Sequence, residues 1–429
     1  MSDEKFDAIV VGAGVAGSVA AYVMAKAGLD VLVIERGNQA GSKNMTGGRL
    51  YAHSLENIMP GFAQHAPLER KVTREKIAFM TDDSAVTLDF HRQRPDSPAQ
   101  DCWTVLRNRF DPWLMAQAEE AGAQFIPGVR VDALIQEGGQ VCGVQAGDDV
   151  LEANVVILAD GVNSLLGRSL GMVPTPSPHH YAVGVKEVIA LSAAQIEDRF
   201  NLNENEGAAW LFAGSPSNGL MGGGFLYTNQ DSVSLGLACG LGDMAHAKKS
   251  VPQMLEDFKQ HPDIRPLIKG GKLLEYSAHM VPEGGMAMVP QLFGNGVMIV
   301  GDAAGFCLNL GYTVRGMDLA IASAEAAANT AIAAKAQQDF SSGTLSAYKS
   351  ALEQGCVIRD MQHFRKLPAL MENPRLFSQY PQMLADIMND MFTIDGRANQ
   401  PVRKMVMSHM KKIGLMNLLK DGIKGATAL

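Results

Sequence analysis

The sequence predicts an α/β protein in which a parallel sheet, built from strand–helix–strand units, is interrupted by an antiparallel domain and followed by a helical region. Three observations carry this reading. The run Phe6-Asp7-Ala8-Ile9-Val10-Val11 leads through Gly12-Ala13-Gly14-Val15-Ala16-Gly17 into an alanine-rich helix and a second strand, Val31 to Ile34. Between residues 180 and 283, β-rich runs follow one another with a single helical interruption. A further buried-strand run, Val297 to Val300, enters a second glycine turn, and beyond Ser341 the chain is helical in character.

At 429 residues the chain has room for about three domains or one elaborated α/β unit. Hydrophobic residues at 47% and charged residues at 19% exclude bulk disorder and a collagenous repeat. With 37 Lys+Arg against 45 Asp+Glu the net charge is −8, which argues against nucleic acid as a partner because phosphate neutralisation needs a basic field. Cys102, Cys142, Cys239, Cys307 and Cys356 are scattered and form no CxxC pair, so no disulfide framework and no metal site is encoded. A reducing, cytoplasmic setting fits, as does the lack of a signal-peptide pattern after Met1. The uncharged stretches Leu292 to Gly301 and Ala303 to Val314 are split by Asp302 and loaded with Gly and Asn, which leaves only peripheral membrane contact. Glycine, with 44 residues, is in excess and calls for an explanation.

Along the chain, the first helix runs to Ala27 and stops at Gly28, and the second strand ends at Glu35. Residues Arg74 to Phe90 alternate around Asp82-Asp83-Ser84 as a hairpin, Arg92 to Asp101 is a polar loop, and Asp111 to Ala121 repeats at helical spacing. Val129 to Ile135, Val141 to Gln145 and Val155 to Leu158 form a meander returning to the parallel sheet, and Pro174 to Pro178 is a linker. The antiparallel runs are Tyr181 to Val188, Trp210 to Phe212, Gly224 to Thr228 and Ser232 to Cys239, with Pro252 to Gln260 as the helix. Met317 to Ala336 is a long alanine-rich helix.

A GxGxxG turn alone can serve only to pack a helix on a strand. Its setting here gives each glycine a separate use: Gly12 for the tight turn, Gly14 for approach of a pyrophosphate to the backbone, Gly17 for helix–sheet contact, with the helix N-terminus facing the anion across Ala13, Val15 and Ala16. Glu35, eighteen residues after Gly17, sits at the end of the second strand, where a carboxylate accepts from ribose hydroxyls; Arg36 follows it. The turn does not separate NAD from FAD. FAD needs later segments for its ribityl chain and ring, and these are present: Gly301-Asp302 at a strand end, Arg107 ahead of Phe110 to Leu114, and Asp160-Gly161. Asp302 read alone is also an ordinary helix N-cap.

These segments together resemble the FAD-dependent oxidoreductases that include p-hydroxybenzoate hydroxylases and geranylgeranyl reductases, over roughly residues 6 to 336. The resemblance implies a Rossmann-like FAD-binding domain of the glutathione-reductase and p-hydroxybenzoate-hydroxylase type. Its expected bounds are 1–75, 101–178 and 284–340, with an inserted substrate domain at 76–100 and 179–283 and a helical region at 341–429. The hydroxylase pattern has an Arg three residues after Ser164, where this chain has Gly167 and places Arg168 one later, which weakens an inference of NAD(P)H handling. A closer likeness lies in Gly222 to Tyr227, Ser234 to Leu237, Phe258 to Pro262, Gly270-Gly271-Lys272 and Pro282 to Gly285. This succession is similar to electron-transfer flavoprotein:quinone oxidoreductases. The whole chain, including Ser42 to Arg49 and Phe392 to Gly396, looks most like their bacterial Fix-type branch.

That family resemblance implies electron transfer between an electron-transfer flavoprotein and a quinone or ferredoxin-like acceptor. The quinone oxidoreductases hold a [4Fe–4S] cluster on four C-terminal cysteines; after Cys307 this chain has only Cys356, so a separate ferredoxin-like protein is expected to carry it. Flavin chemistry needs no protein nucleophile, and no catalytic residue is expected. Lys43, Asn44, Gly47, Gly48 and Arg49 fall in a segment that the family places near the flavin, though a surface loop reads the same way; Asn309, Gly311, Tyr312 and Arg315 are candidates of the same kind. Gly222, Gly223, Gly224 and Phe225 either admit a quinone ring or pack a glycine-rich strand. The lysines of Arg403 to Lys424 serve a membrane or partner surface, or a solvated face. The competing readings are a freestanding NAD(P)H-dependent reductase or hydroxylase of a hydrophobic small molecule, and a flavin-bound assembly component without turnover.

Overall fold

The computed structural model describes residues 5–42, 48–93, 97–175, 177–245 and 247–428. Two large sheets organise the described residues. The first begins with β1 (Phe6–Val11), whose last four residues are buried, followed by helix α1 (Val15–Lys26) and β2 (Val31–Glu35). Strand β1 lies parallel to β2 on one side and to Asp149–Leu158 on the other, and Val297–Ile299 extends the sheet beyond that strand. The order therefore reverses at β1, the point where an open α/β sheet leaves a crevice at its carboxyl edge.

Small side chains let the helices close over this sheet. Helix α1 packs against the long helix Met317–Gln337 and against Arg107–Glu120, and Ala20, Ala21, Ala324, Ala327, Ala328 and Ala331 are fully buried between them. Burial of such apolar surface contributes about 25 cal/mol per Å². The meander expected after residue 124 is present, but its first strand is Ala133–Glu137 and not a run from Val129; Gln140–Ala146 and Asp149–Leu158 follow, the last passing into the parallel sheet.

The second sheet has nine strands. Its pairings are antiparallel except one: Glu206–Gly214 runs parallel to Leu68–Met80. The hairpin around Asp82 to Ser84 joins Leu68–Met80 to Ala85–His91. Arg49–Tyr51 and Cys102–Val105, which the sequence patterns assign to the nucleotide-binding part, add two strands to this sheet. Helix Val251–Gln260 buries Val251, Met254, Leu255 and Phe258 against it, with Ser250 and Gln253 forming a capping box at its start. The Phe258 ring meets Phe212 edge-on at 5.0 Å, and Phe212 stacks on Trp210 at 4.8 Å.

Beyond residue 341 the described residues are helical apart from short connections. The last helix, Leu415–Ala428, is clamped by Asp421, whose carboxylate takes two hydrogen bonds from the Arg375 guanidinium, at 2.7 and 2.8 Å, and a third from Tyr380.

Candidate functional site

The glycine turn between β1 and α1 is tight for steric reasons. A side chain at Gly17 would put its Cβ 1.8 Å from the Gly12 carbonyl oxygen, and one at Gly12, whose φ is +101°, would lie 2.4 Å from the Ala159 carbonyl oxygen. Gly14 caps α1 without a capping side chain, and the first turn closes with Ser18 N–H donating to Gly14 C=O at 2.9 Å. The preceding amides of Val15, Ala16 and Gly17 therefore point out of the helix start. Glu35 closes the far side: one carboxylate oxygen accepts from Ala13 N–H at 2.9 Å and the other from Gly37 N–H at 2.6 Å.

From this turn a cavity of about 550 Å³ opens toward the second sheet. Gly14, Val15, Ala16, Gly48, Arg49, Arg107, Gly161, Asp302, Gly311 and Tyr312 line it, and so do Asn309 and Gly222 to Phe225. Gly12, Ala13, Gly17, Glu35, Arg36, Asp160 and Gly301 are not among the residues that line it, and Arg36 is exposed to solvent. Lys43, Asn44 and Gly47 fall outside the described residues. Arg315 stands back from the cavity and pairs with Asp318 and Asp360.

Charged side chains line the cavity or stand close to it. Asp302 opens onto the cavity, and the protein that encloses the cavity raises its carboxyl above the usual range, with Arg107 and His279 pulling it back. Arg107 donates to Asp111 at 2.6 and 2.7 Å; burial opposes its charge, but Asp111 and Asp302 more than offset this and raise it. Burial pushes Asp160 up to about 6, opposed by the Leu166 N–H it accepts at 3.3 Å, and its other oxygen has no partner among the described residues. Arg49 is held by Glu75 and Cys102 and lies over the Tyr51 ring at 4.8 Å.

Gly222 to Gly224 have a packing reason for their composition. Added Cβ atoms at Gly222 and Gly223 would lie 2.0 Å from Ala238 O and 2.2 Å from Phe212 O, and one at Gly224 would lie 2.7 Å from the Phe258 ring. The same strand nevertheless forms cavity wall. Gly167 is likewise fixed by space: a Cβ there would meet Ser164 Oγ and Val173 at 2.7 Å, and the neighbouring Arg168 donates to Tyr181 instead.

Sequence patterns missed several wall residues. Lys186, His279 and Glu283 all face the cavity, as do Leu367, Leu370 and Phe377 of the C-terminal region. Burial lowers Lys186, opposed by Glu275 at 3.2 Å. Glu283 stood in the sequence only as part of a Pro-Glu-Gly-Gly run, and its acid chemistry gave no local signal.

Fold and site together define a FAD-dependent oxidoreductase, and residues 5–216 match the FAD binding domain family. Residues 181–281 match the family described as ETF-QO, ubiquinone-binding, and residues 367–429 the ETF-QO/FixC family C-terminal domain. The chain is 80% identical over 429 residues to the probable electron transfer flavoprotein-quinone oxidoreductase YdiS of Escherichia coli (strain K12), with 100% of both chains covered. It is 61% identical, again over 100% of both chains, to protein FixC of the same organism. The chain belongs to the ETF-QO/FixC family of electron-transfer flavoprotein–quinone oxidoreductases, which bears out the Fix-type resemblance. In fold it is similar to a geranylgeranyl bacteriochlorophyll reductase-like protein from Thermoplasma acidophilum, with a TM-score of 0.72, 19% identity, and 97% and 99% of the two chains covered.

The cofactor of this family class, FAD, suits the residues present. Asp302 offers a carboxylate with no hydrogen bond among the described residues, Gly161 has φ +78° with open space where a side chain would stand, and α1 presents uncapped amides.

Proposed function

We propose that this chain receives electrons from an electron-transfer flavoprotein and passes them to a quinone that enters the cavity from the second sheet. The observation that carries this is the continuity of one cavity from the α1 turn to Gly222–Phe225 and on to Leu367, Leu370 and Phe377. Bound FAD supplies a two-electron carrier at that junction. The α1 amides would hold the diphosphate, Glu35 and Asp302 would take ribose and ribityl hydroxyls, and the apolar wall would orient a flat ring. Arg36, Gly48, Arg49, Arg107, Gly161, Gly311 and Tyr312 complete this proposed cofactor shell. In this reading 1–75, 101–178 and 284–340 serve the cofactor, 76–100 and 179–283 the acceptor, and 341–429 closes the site.

A separate ferredoxin-like protein is part of the proposed system, because two cysteines at Cys307 and beyond are too few for a cluster. No helix among the described residues is long and apolar enough to cross a membrane. Contact with a lipid surface is proposed at the helix Leu415–Ala428, where Leu415, Met416, Leu419 and Ile423 are exposed beside Lys420 and Lys424.

Anaerobic stopped-flow reduction of the holoenzyme tests the electron route. Reduced electron-transfer flavoprotein bleaches the flavin band rapidly, a short-tailed ubiquinone analogue restores it, and NADPH alone does neither. Rapid bleaching by NADPH alone rejects the proposal in favour of a freestanding reductase.

A further inference from the structure

Glu283 follows the edge strand Lys272–Pro282, where the chain leaves the second sheet for the first. Its own N–H donates to His180 C=O at 2.8 Å, which fixes the backbone there, and its side chain faces the cavity. One carboxylate oxygen accepts from Asn309 Nδ2 at 3.1 Å. The orientation of that amide is set, because Asn309 Oδ1 accepts from Gly311 N–H at 2.9 Å. Asn309 therefore presents a donor to Glu283 and leaves the other oxygen of the acid for whatever occupies the cavity.

The titratable groups around Glu283 are Cys307, Asp302 and His279, which line the same cavity, and His180, which lies beside Gly284. No cation pairs with it among the described residues. Burial pushes its carboxyl up to about 7, and the Asn309 hydrogen bond only partly opposes this. An ordinary surface glutamate is ionised at neutrality and has no proton to give; an acid poised near neutrality donates and is recharged within one turnover.

We propose that Glu283 holds the proton delivered to an acceptor carbonyl in this cavity. The assignment rests on the reading that a quinone is reduced there. Reduction of a quinone to a quinol takes two electrons and two protons. The electrons originate from the reduced electron-transfer flavoprotein. One O–H bond forms on a quinone oxygen as the Glu283 O–H bond breaks, the carboxylate is then reprotonated by water, and the second quinone oxygen takes its proton from water.

The test compares wild-type holoenzyme with Glu283→Gln and Glu283→Asp, using reduced electron-transfer flavoprotein and a short-tailed ubiquinone analogue. Gln keeps an acceptor for Asn309 Nδ2 and is shaped like the protonated acid, so folding and analogue binding are retained. Wild-type kcat falls as pH rises through about 7. In Glu283→Gln it is about a hundredfold lower and flat over that range with KM unchanged, and Glu283→Asp keeps the slope at an intermediate rate. Infrared difference spectra of the oxidised holoenzyme between about pH 6 and about pH 8 show loss of a carboxylic-acid carbonyl band in wild type, absent in Glu283→Gln. Wild-type turnover with an unchanged slope in Glu283→Gln, or an infrared band unaltered by that substitution, overturns the assignment while leaving quinone reduction intact. An analogue that neither binds nor reoxidises the wild-type flavin overturns the quinone reading and the Glu283 assignment with it.

Discussion

Glu35 and Ala13 are joined by a hydrogen bond of 2.9 Å that ties the end of β2 to the first glycine turn. The same carboxylate also accepts from Gly37 N–H, so one side chain shapes the turn from both flanks. In Glu35→Ala two backbone donors lose their acceptor, each costing about 1–3 kcal/mol if left unsatisfied. The expected result is a lower Tm of the apoprotein together with loss of bound FAD, measured by calorimetry and by the flavin band. A variant that keeps wild-type Tm and full FAD content contradicts this.

Gly17→Ala and Gly161→Ala separate crowding from cofactor clearance. At Gly17 the new Cβ would lie 1.8 Å from Gly12 O, so the helix must shift and the apoprotein loses stability. At Gly161 there is open space, and only φ +78° is unfavourable, at about 1–2 kcal/mol. FAD affinity is expected to fall in both, with the larger loss of apoprotein Tm confined to Gly17→Ala. Titration of apoprotein with FAD, followed by flavin fluorescence, checks the affinity.

Asp302→Ala removes the cavity carboxylate without opening a packing defect, since its side chain stands over open cavity. Weaker FAD retention on gel filtration is expected, with an apoprotein Tm close to wild type. Unchanged flavin content removes Asp302 from the cofactor shell.

Glu283 makes stability depend on pH. Its folded value, about 7, lies above the ordinary 4.5, so the fold favours the protonated acid. That stabilisation is complete below about 4.5 and is lost as pH rises to about 7. Glu283→Gln does not carry the cost of a buried charge, so its Tm should exceed wild type's at about pH 8, by the equivalent of about 1–3 kcal/mol, and the gain should shrink toward about pH 5. An equal difference at both pH values rejects the assignment of this titration to Glu283.

The exposed face of Leu415–Ala428 gives a separate prediction. Leu419→Ser with Ile423→Ser should reduce co-sedimentation with vesicles containing anionic phospholipid at least about tenfold, with flavin content unchanged. Undiminished binding places the lipid contact elsewhere.

What the sequence revealed was local, and what it hid was assembled across distance. The β1 run, the glycine turn and Glu35 stand within thirty residues of one another, and their pattern reports their geometry directly. Lys186, His279 and Glu283 reach the cavity only because their strands and their connections are laid beside residues 302–312, and no periodicity announces that. Arg49–Tyr51 and Cys102–Val105 join the second sheet through pairing partners far along the chain, so the alternation of three or four residues was too short to reveal them. The glycines at 222 to 224 were visible, but their reason, neighbouring carbonyl oxygens and the Phe258 ring, belongs to strand packing.

The place of Val297–Ile299 beside Val156 to Leu158 sets a timetable for biosynthesis. Roughly 140 residues, the whole of the second sheet's later strands among them, separate these partners in the chain. At a ribosomal pace of roughly 5–20 residues per second, an apolar strand edge waits on the order of 10 s for its neighbour. During that interval the nascent chain offers a bare template for pairing with another copy. Slower translation or a delayed chaperone should therefore show first as aggregation of chains released before residue 300, long before any effect on the finished enzyme.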